Sequence, residues 1–433
     1  MLLIKNGLVI DPGCNFYKKA NVFVKDGKIE KIAESLAPET QKNLEDEGGR
    51  IIDAAGCIVA PGLVDVHVHF RDPGFTYKED IESGARAALK GGFTSVVLMA
   101  NTKPPVDNAE TVSYVIQKGK KTKLNVYTGA TVTKAMAGHE ITDMDALIGC
   151  GAVGFTDDGI PIMDETLLEK AFLKSKELGV PISLHEENPT LIINNGINKG
   201  KASEYFGIGG SPREAEISLI TRDLELALKT GAILNIQHIS TKEGVALVRE
   251  AKKRAAENGC GNIHAEATPH HFSLTEEAAI RHGALAKMNP PLREEADRLA
   301  IVEGLRDGTI DIIATDHAPQ GREEKEKPLT EAPSGIIGLE TALALGVTVL
   351  VCKEGITHEQ LIRCMSVNPA KLYGLNVGTL APGAPADIVI YNPEESMTAG
   401  DYVSKASNSP FTGERLQGVV KYTIVSGEIV YRG

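Results

Sequence analysis

Eight short apolar runs, rich in β-branched residues, recur across the middle of the chain at 63–69, 93–99, 124–130, 152–156, 181–185, 232–238, 262–267 and 311–315. Between most of them lie stretches with apolar residues at helical spacing, over 78–90, 108–121, 164–178, 211–230, 241–257 and 294–307. Strand and helix alternating in this way build a parallel sheet with its crossovers outside. Eight repeats favour a closed (β/α)8 TIM-type barrel over an open sheet. Ser211-Pro212 ahead of Arg213-Glu214 supplies a capping residue followed by proline in the first turn, a helix start. Residues 288–293 read as an irregular loop containing Asn-Pro-Pro-Leu.

Both ends read as β structure. Residues 2–10 and 22–32 are apolar stretches broken by Asn6-Gly7 and Asp26-Gly27, dipeptides suited to tight hairpins; 421–425 and 428–431 flank Ser426-Gly427 in the same way. Residues 386–391 add a strand after the Gly/Pro-rich stretch 378–385. Neither end can form a large core alone, so the two are expected to pack together as one small β-sandwich domain interrupted by the barrel. The division is 1–58 and 377–433 for the two parts of the sandwich, and 59–376 for the barrel.

A core of this size needs apolar residues, and 42% of the 433 are hydrophobic against 24% charged. With 46 Lys+Arg against 58 Asp+Glu the net charge is −12, which argues against nucleic acid or an anionic membrane as partner. The longest apolar run, within 342–352, is far short of the about 20 residues of a membrane span. The start MLLIKNGLVIDPG has no basic region before its apolar residues and no cleavage pattern. Cys14, Cys57, Cys150, Cys260, Cys352 and Cys364 are scattered without framework spacing and read as reduced thiols. The expectation is a soluble, cytoplasmic, globular protein.

In such a barrel, chemistry gathers at the C-terminal ends of the strands. Reading those ends in order gives His67 and His69, Asp157-Asp158, His185, His238 and Asp316. His67 and His69, two residues apart on one strand, face the same side, and Asp65, Arg71 and Asp72 make that strand end unusually polar. Taken singly, each histidine also suits a hydrogen-bonded structural role. Asp316 ends a strongly apolar strand, where a carboxylate needs a cation, a partner or a shifted pKa. Four histidines and one or two aspartates at one barrel mouth are hard to produce by packing alone. Nitrogen and oxygen ligands without thiolates suit zinc or a similar divalent ion, and there are too many for one tetrahedral site, so two ions per chain is the better count. His270 and His271 fall beyond the seventh strand and read as hydrogen-bonded rim residues, while His139, His264, His282 and His358 receive no role. No nucleophile elbow, Walker loop or dinucleotide fingerprint occurs in its required context.

The segments HVHFRDPG (67–74), MANTKP (99–104), GFTDDG (154–159), HEEN (185–188), KMNPPLR (287–293) and ATDHAP (314–319) resemble those of the type I bacterial dihydroorotases. These are metal-dependent (β/α)8 hydrolases of the amidohydrolase superfamily. The resemblance runs essentially end to end, and GTLAPGAPADIVI (378–390) is similar to the superfamily's re-entry motif. It implies His67 and His69 on a first metal and His185 and His238 on a second. The bridge is Asp158, because FTDDG lacks the lysine many relatives use; Asp157 then structures a loop. Asp316 is implied as a ligand of the first metal and as general acid/base. Arg71 and Asn101 hold the substrate carboxylate, Asn289 lies near the ring edge, and His69 also faces the substrate. The implied reaction is reversible hydrolysis of (S)-dihydroorotate to N-carbamoyl-L-aspartate in pyrimidine synthesis. The implied assembly is a homodimer, with aspartate transcarbamoylase as a partner of some relatives.

Two positions depart from the family pattern. Gln320 stands where histidine is usual after DHAP, and Ser334-Gly335 stands for phenylalanine-glycine; all three line the substrate pocket in the family. Gln320 is expected to offer a neutral donor and Gly335 its backbone N–H. The charge run REEKEK (322–327) reads as a solvated face, placed near enough to Asp316 to belong to a loop over the site (320–334). The rival readings are a dihydropyrimidinase or allantoinase, whose substrates would leave Arg71 without an anion, and a non-catalytic scaffold paralogue, which should have lost ligands.

Overall fold

Asp26-Gly27 and Ser426-Gly427 both make the tight hairpins their residues suit, with Asp26 (φ +51°) and Ser426 (φ +47°) each followed by a positive-φ glycine. The computed structural model that shows this describes residues 1–36, 39, 41, 44, 46, 48–259 and 262–433; Cys260 lies outside them. The other cysteines form no disulfide. From the N-terminus come β1 (Leu2–Asp11), β2 (Phe16–Lys25), β3 (Lys28–Ala33), β4 (Arg50–Asp53) and β5 (Ile58–Pro61). The barrel strands are β6 (Leu63–Val68), β7 (Phe93–Leu98), β8 (Asn125–Thr128), β9 (Ile182–Leu184), β10 (Ile233–Ile236), β11 (Asn262–Ala267) and β12 (Ile312–Ile313). The C-terminus adds β13 (Ile388–Thr398), β14 (Arg415–Val425) and β15 (Glu428–Arg432).

The terminal strands form one eight-stranded sheet in the order β15-β14-β13-β5-β1-β2-β3, with β4 also paired to β1. Its two ends share an apolar core that includes Ile4, Val22, Val59, Ile388, Ile390 and Ile424, which makes the β-sandwich one body built from both termini. Asn6-Gly7 does not turn the chain. β1 runs straight through it with a register shift between Ile4 and Gly7, a bulge that uses the same left-handed backbone (Asn6 φ +64°). A Cβ at Gly7 would stand 2.5 Å from Val59 Cγ2, so the close approach of β5 demands glycine. β5 pairs with β1 and with β13, so residues 58–61 run within the terminal sheet.

In the barrel, β6-β7-β8 and β9-β10-β11-β12 are two parallel sheets. The run 152–156 joins them through Phe155, which bridges to Ala130 and to Ile182, and Val68 bridges to His317 to close the circle. This eighth staple is shorter than expected, yet the N–H of Phe155 still donates to Pro181 O and that of Ser183 to Phe155 O. Asp65 pins the other join: its buried carboxylate accepts from the backbone N–H of His67 (3.1 Å) and of Thr315 (3.1 Å), fixing β6 against β12 just below the strand ends.

Helices cover the outside, many with side-chain caps. Asp80, Asn108, Asp164 and Thr241 cap the helices Ile81–Lys90, Ala109–Gly119, Glu165–Leu178 and Lys242–Asn258. Ser211 does not cap the helix Arg213–Thr230; its hydroxyl donates instead to Glu187 Oε1 at 3.0 Å. No helix among the described residues is long and apolar enough to cross a membrane.

The re-entry of the chain into the sandwich hangs on Asp11. Its buried carboxylate accepts from Gly13 N (2.8 Å), Thr379 Oγ1 (2.8 Å) and Leu380 N (2.6 Å). Removing an ionised acceptor strands donors that water cannot reach. Asp11→Ala is expected to lower stability in urea unfolding by about 3 kcal/mol; an unmoved transition would show that the clamp carries no stability.

Candidate active site

The strand ends deliver six side chains to one buried cluster. His67 and His69 come from the end of β6, Asp158 from the turn after Phe155, His185 from β9, His238 from β10 and Asp316 from β12. Asp158 sits in the middle. Its Oδ1 lies 3.5 Å from His67 Nε2, 3.7 Å from His185 Nδ1 and 3.8 Å from His238 Nε2, and its Oδ2 lies 3.5 Å from His69 Nε2. Asp316 Oδ1 stands 2.9 Å from His69 Nε2 and 3.5 Å from His67 Nε2, and His185 Nδ1 is 3.0 Å from His238 Nε2. His238 (φ +32°) and Asp316 (φ +47°) hold left-handed backbone that side chains disfavour, strain of the kind functional positions retain.

Electrostatics pull the same way. Burial opposes charge on Asp158, yet His67, His238 and His69 hold it well below the ordinary carboxylate range. Asp316 is held low likewise, against burial, by His67 and His69. Burial opposes the imidazolium of His67, and Asp316, Asp158 and Glu266 outweigh it and raise its pKa. The cluster therefore favours positive charge at its centre. Three overlapping sets (His67, His69 and Asp158; His67, His238 and Asp316; Asp158, His185 and His238) each bring ligand atoms within 4.8 Å of one another. His67 Nε2, wholly buried, makes no hydrogen bond. Nitrogen and carboxylate donors that converge around an unpartnered imidazole nitrogen fit a divalent ion.

A supporting layer aims these groups. His67 Nδ1 donates to Glu266 Oε2 and His69 Nδ1 to Asn101 Oδ1, both at 3.0 Å. His185 Nε2 is 3.2 Å from Glu187 Oε2, the carboxylate that Ser211 also supports. The adjacent aspartates diverge. Asp157 turns away to accept from Val132 N (2.8 Å), Thr133 N and the Thr133 hydroxyl, and structures that loop. Glu266 and Glu187 were not singled out from sequence; Glu187 was visible within HEEN, whereas Glu266 lies in a strand interior and gave no signal. His271 pairs with Thr268 Oγ1 (2.8 Å) and Pro290 O (3.0 Å), and burial, with His238 nearby, pushes its pKa down to about 3.

Above the cluster opens a cavity of about 430 Å³. Its lining brings together His69, Arg71, Asn101, Asn289, Gln320, Ser334 and Gly335, all expected from sequence, and adds Lys287. Arg71 reaches it after the strand has ended at Val68, with φ +58°, so strand alternation does not place it there. Its Nε donates to Pro319 O at 3.3 Å. Asn101 is engaged at both ends, its amide donating to Asp158 Oδ2 at 3.0 Å. Gln320 is held at both ends: its Nε2 donates one N–H to Ser334 O and its Oε1 accepts from Lys78, both at 2.7 Å. The Gly335 N–H is likewise spent on Lys287 O at 3.0 Å. The Ser334 hydroxyl donates to Asn289 Oδ1 at 2.8 Å. REEKEK is only partly a solvated face, because Lys325 is buried and donates to Pro333 O and Gly335 O, each at 3.0 Å. Burial, with Lys287 near, pulls its pKa to about 7. Together with Lys287, which donates to Leu329 O and Ala332 O, it straps the wall 329–335 in place.

The amidohydrolase family matches residues 58–430. The chain is 55% identical over 431 residues to a dihydroorotase of Clostridioides difficile, covering all of both chains. It is 49% identical over 433 residues to a dihydroorotase of Clostridium acetobutylicum, covering all of this chain and 99% of that one. Among solved structures it is similar to an L-hydantoinase (dihydropyrimidinase) from Arthrobacter aurescens, with TM-score 0.86 and 26% identity over 100% of this chain and 96% of that one. A D-hydantoinase (dihydropyrimidinase) from Thermus sp. gives TM-score 0.83 at 26% identity, covering 100% of this chain and 95% of that one.

The divergence of the two aspartates is testable. Asp158→Asn is expected to lower the divalent-metal content of the purified protein, read by elemental analysis. Asp157→Asn should leave that content unchanged and cost about 1–3 kcal/mol in urea unfolding. The opposite pattern would exchange their roles.

Proposed function

The chain belongs to the amidohydrolase family, and we infer that within it the protein works as a dihydroorotase, a hydrolase of the cyclic amide C–N bond. It opens the ring of (S)-dihydroorotate to N-carbamoyl-L-aspartate, reversibly, in pyrimidine synthesis. Full-length likeness to dihydroorotases, 55% and 49% identical, supports the reaction. The observation that carries the substrate is Arg71, a desolvated guanidinium with no ion-pair partner among the described residues, lining the same cavity as the histidine–aspartate cluster. A planar fork in that position selects a carboxylate-bearing ring. The hydantoinase neighbours share the fold at 26% identity, but a neutral ring would leave Arg71 without an anion.

Family and donor set both call for divalent metal. We assign two ions, zinc or similar: His67, His69 and Asp316 hold one, His185 and His238 the other, and Asp158 serves both. When bound, they lower the pKa of water and polarise a carbonyl. The remaining work falls to the chain's own residues. Asp316, kept ionised by its histidines, accepts the proton of the attacking water and returns it to the departing ring nitrogen. Arg71 grips the substrate carboxylate and so fixes which carbonyl faces Asp316. Asn101 holds His69 and Asp158 in register through its two amide ends. Asn289 and Ser334, bonded to each other, shape the side of the cavity facing the ring edge. A cytoplasmic homodimer, able to associate with aspartate transcarbamoylase, belongs to the same reading and rests on the family resemblance.

Arg71→Met should lower kcat/KM for dihydroorotate by roughly 10³-fold or more while changing that for dihydrouracil only a few-fold, since a site built for a charged group loses most when the charge partner goes. Parallel steady-state assays on the two rings check this. Equal losses on both would leave Arg71 a merely structural role and reopen the substrate.

A further inference from the structure

We propose that Glu266 is a positioning residue that sets the tautomer and aim of His67 from the far side of the barrel interior. The proposal rests on the reading of His67 as a metal ligand. Glu266 lies on β11, a strand that contributes no residue to the six-membered cluster, and is fully buried. A carboxylate there needs strong partners. It has two: Oε2 accepts from His67 Nδ1 at 3.0 Å, and Oε1 accepts from Asn235 Nδ2 at 2.6 Å. The chain continues, because Asn235 Nδ2 also lies 3.0 Å from Ser183 Oγ, and Ser183 Oγ is 2.7 Å from the Tyr373 hydroxyl. Glu266, Asn235, Ser183 and Tyr373 are all buried, and they link β11, β10, β9 and the segment after the helix Asn368–Leu372 into one polar string under the cluster.

The chemistry follows from what each atom can do. With Glu266 Oε2 accepting from Nδ1, the ring proton of His67 sits on Nδ1 and the lone pair on Nε2. That is the nitrogen directed at Asp158 and Asp316 and left without a hydrogen bond. The carboxylate also increases the basicity of the imidazole as a ligand. The two histidines of the first strand differ here, because His69 Nδ1 meets only the neutral amide oxygen of Asn101. Glu266 therefore makes His67 the more strongly donating of the pair.

The test is zinc affinity of the intact chain, measured by competition with a chromophoric chelator, beside its thermal unfolding. Glu266→Gln keeps the size and removes the charge; it should weaken zinc binding about 10–100-fold in protein that still unfolds cooperatively. Substituting cobalt for zinc should shift the d–d absorption of the variant relative to the parent, a change that a purely structural role would not produce. Should Glu266→Gln fail to fold, Asn235→Ala, which frees one oxygen of Glu266, should weaken binding by a smaller factor of about 3–10. Zinc affinity and cobalt spectrum unchanged in a folded variant would overturn the role of Glu266. A parent protein that binds no zinc would overturn the metal reading itself, and with it this proposal.

Discussion

Two carboxylates, Asp158 and Asp316, lie buried side by side within a shell of four histidines, and the rest of the molecule is arranged around keeping them ionised there. Isolated in a protein interior, either charge would be lost to protonation. The histidine nitrogens at 2.9–3.8 Å reverse that preference. The barrel is what allows the arrangement, since parallel strands point every C-terminal end at one mouth and let five separate segments each contribute one or two side chains to the cluster. The hydrogen bonds of Asp65 to the backbones of β6 and β12 lock together the strands that carry His67 and Asp316. The sandwich matters through its grip on the barrel base, where Asp387 accepts from Asn125 Nδ2 at 2.8 Å and from Ser426 N at 2.7 Å.

Much of this was legible in sequence for a physical reason. Strand ends in a parallel barrel occupy defined places, so the six cluster residues could be named, together with Asp157, from their positions after apolar runs; the choice of Asp158 over Asp157 came from the family resemblance. The helical segments were equally plain from their apolar spacing, and three of them begin at the residues, Asn108, Asp164 and Thr241, that cap the helices. What stayed hidden depends on distant partners. Asn6-Gly7 reads as a turn, but pairing with β2 makes it a bulge. Ser211 looks like a cap and instead supports Glu187. Gln320 and Gly335 read as donors to a ligand; in the fold the Gly335 N–H goes to Lys287 O and one Gln320 amide N–H goes to Ser334 O, while Lys78 donates to the Gln320 oxygen. Glu266 sits inside a strand pattern, where nothing local marks it as the partner of a histidine 199 positions earlier.

These engagements change how specificity is divided. Tied between Lys78 and Ser334 O, Gln320 stiffens the cavity wall, and the proposed function gives recognition of an anionic ring to Arg71. Lys287 and Lys325, each donating to two backbone carbonyls, hold the segment 329–335 over the cluster as a fixed wall. A rigid wall and one desolvated guanidinium suit a small ring charged at one edge.

In the proposed function the six residues would hold two divalent ions, with Asp158 placed to serve both and no lysine required. The most direct test counts bound ions against turnover in one preparation: metal is stripped with a chelator, zinc is returned stepwise in bicarbonate-free buffer, and content and dihydroorotate hydrolysis are followed together. The account predicts that activity vanishes on stripping and returns in full as binding approaches two ions per chain. Full turnover with one ion or none, or recovery only when bicarbonate is supplied, would contradict it.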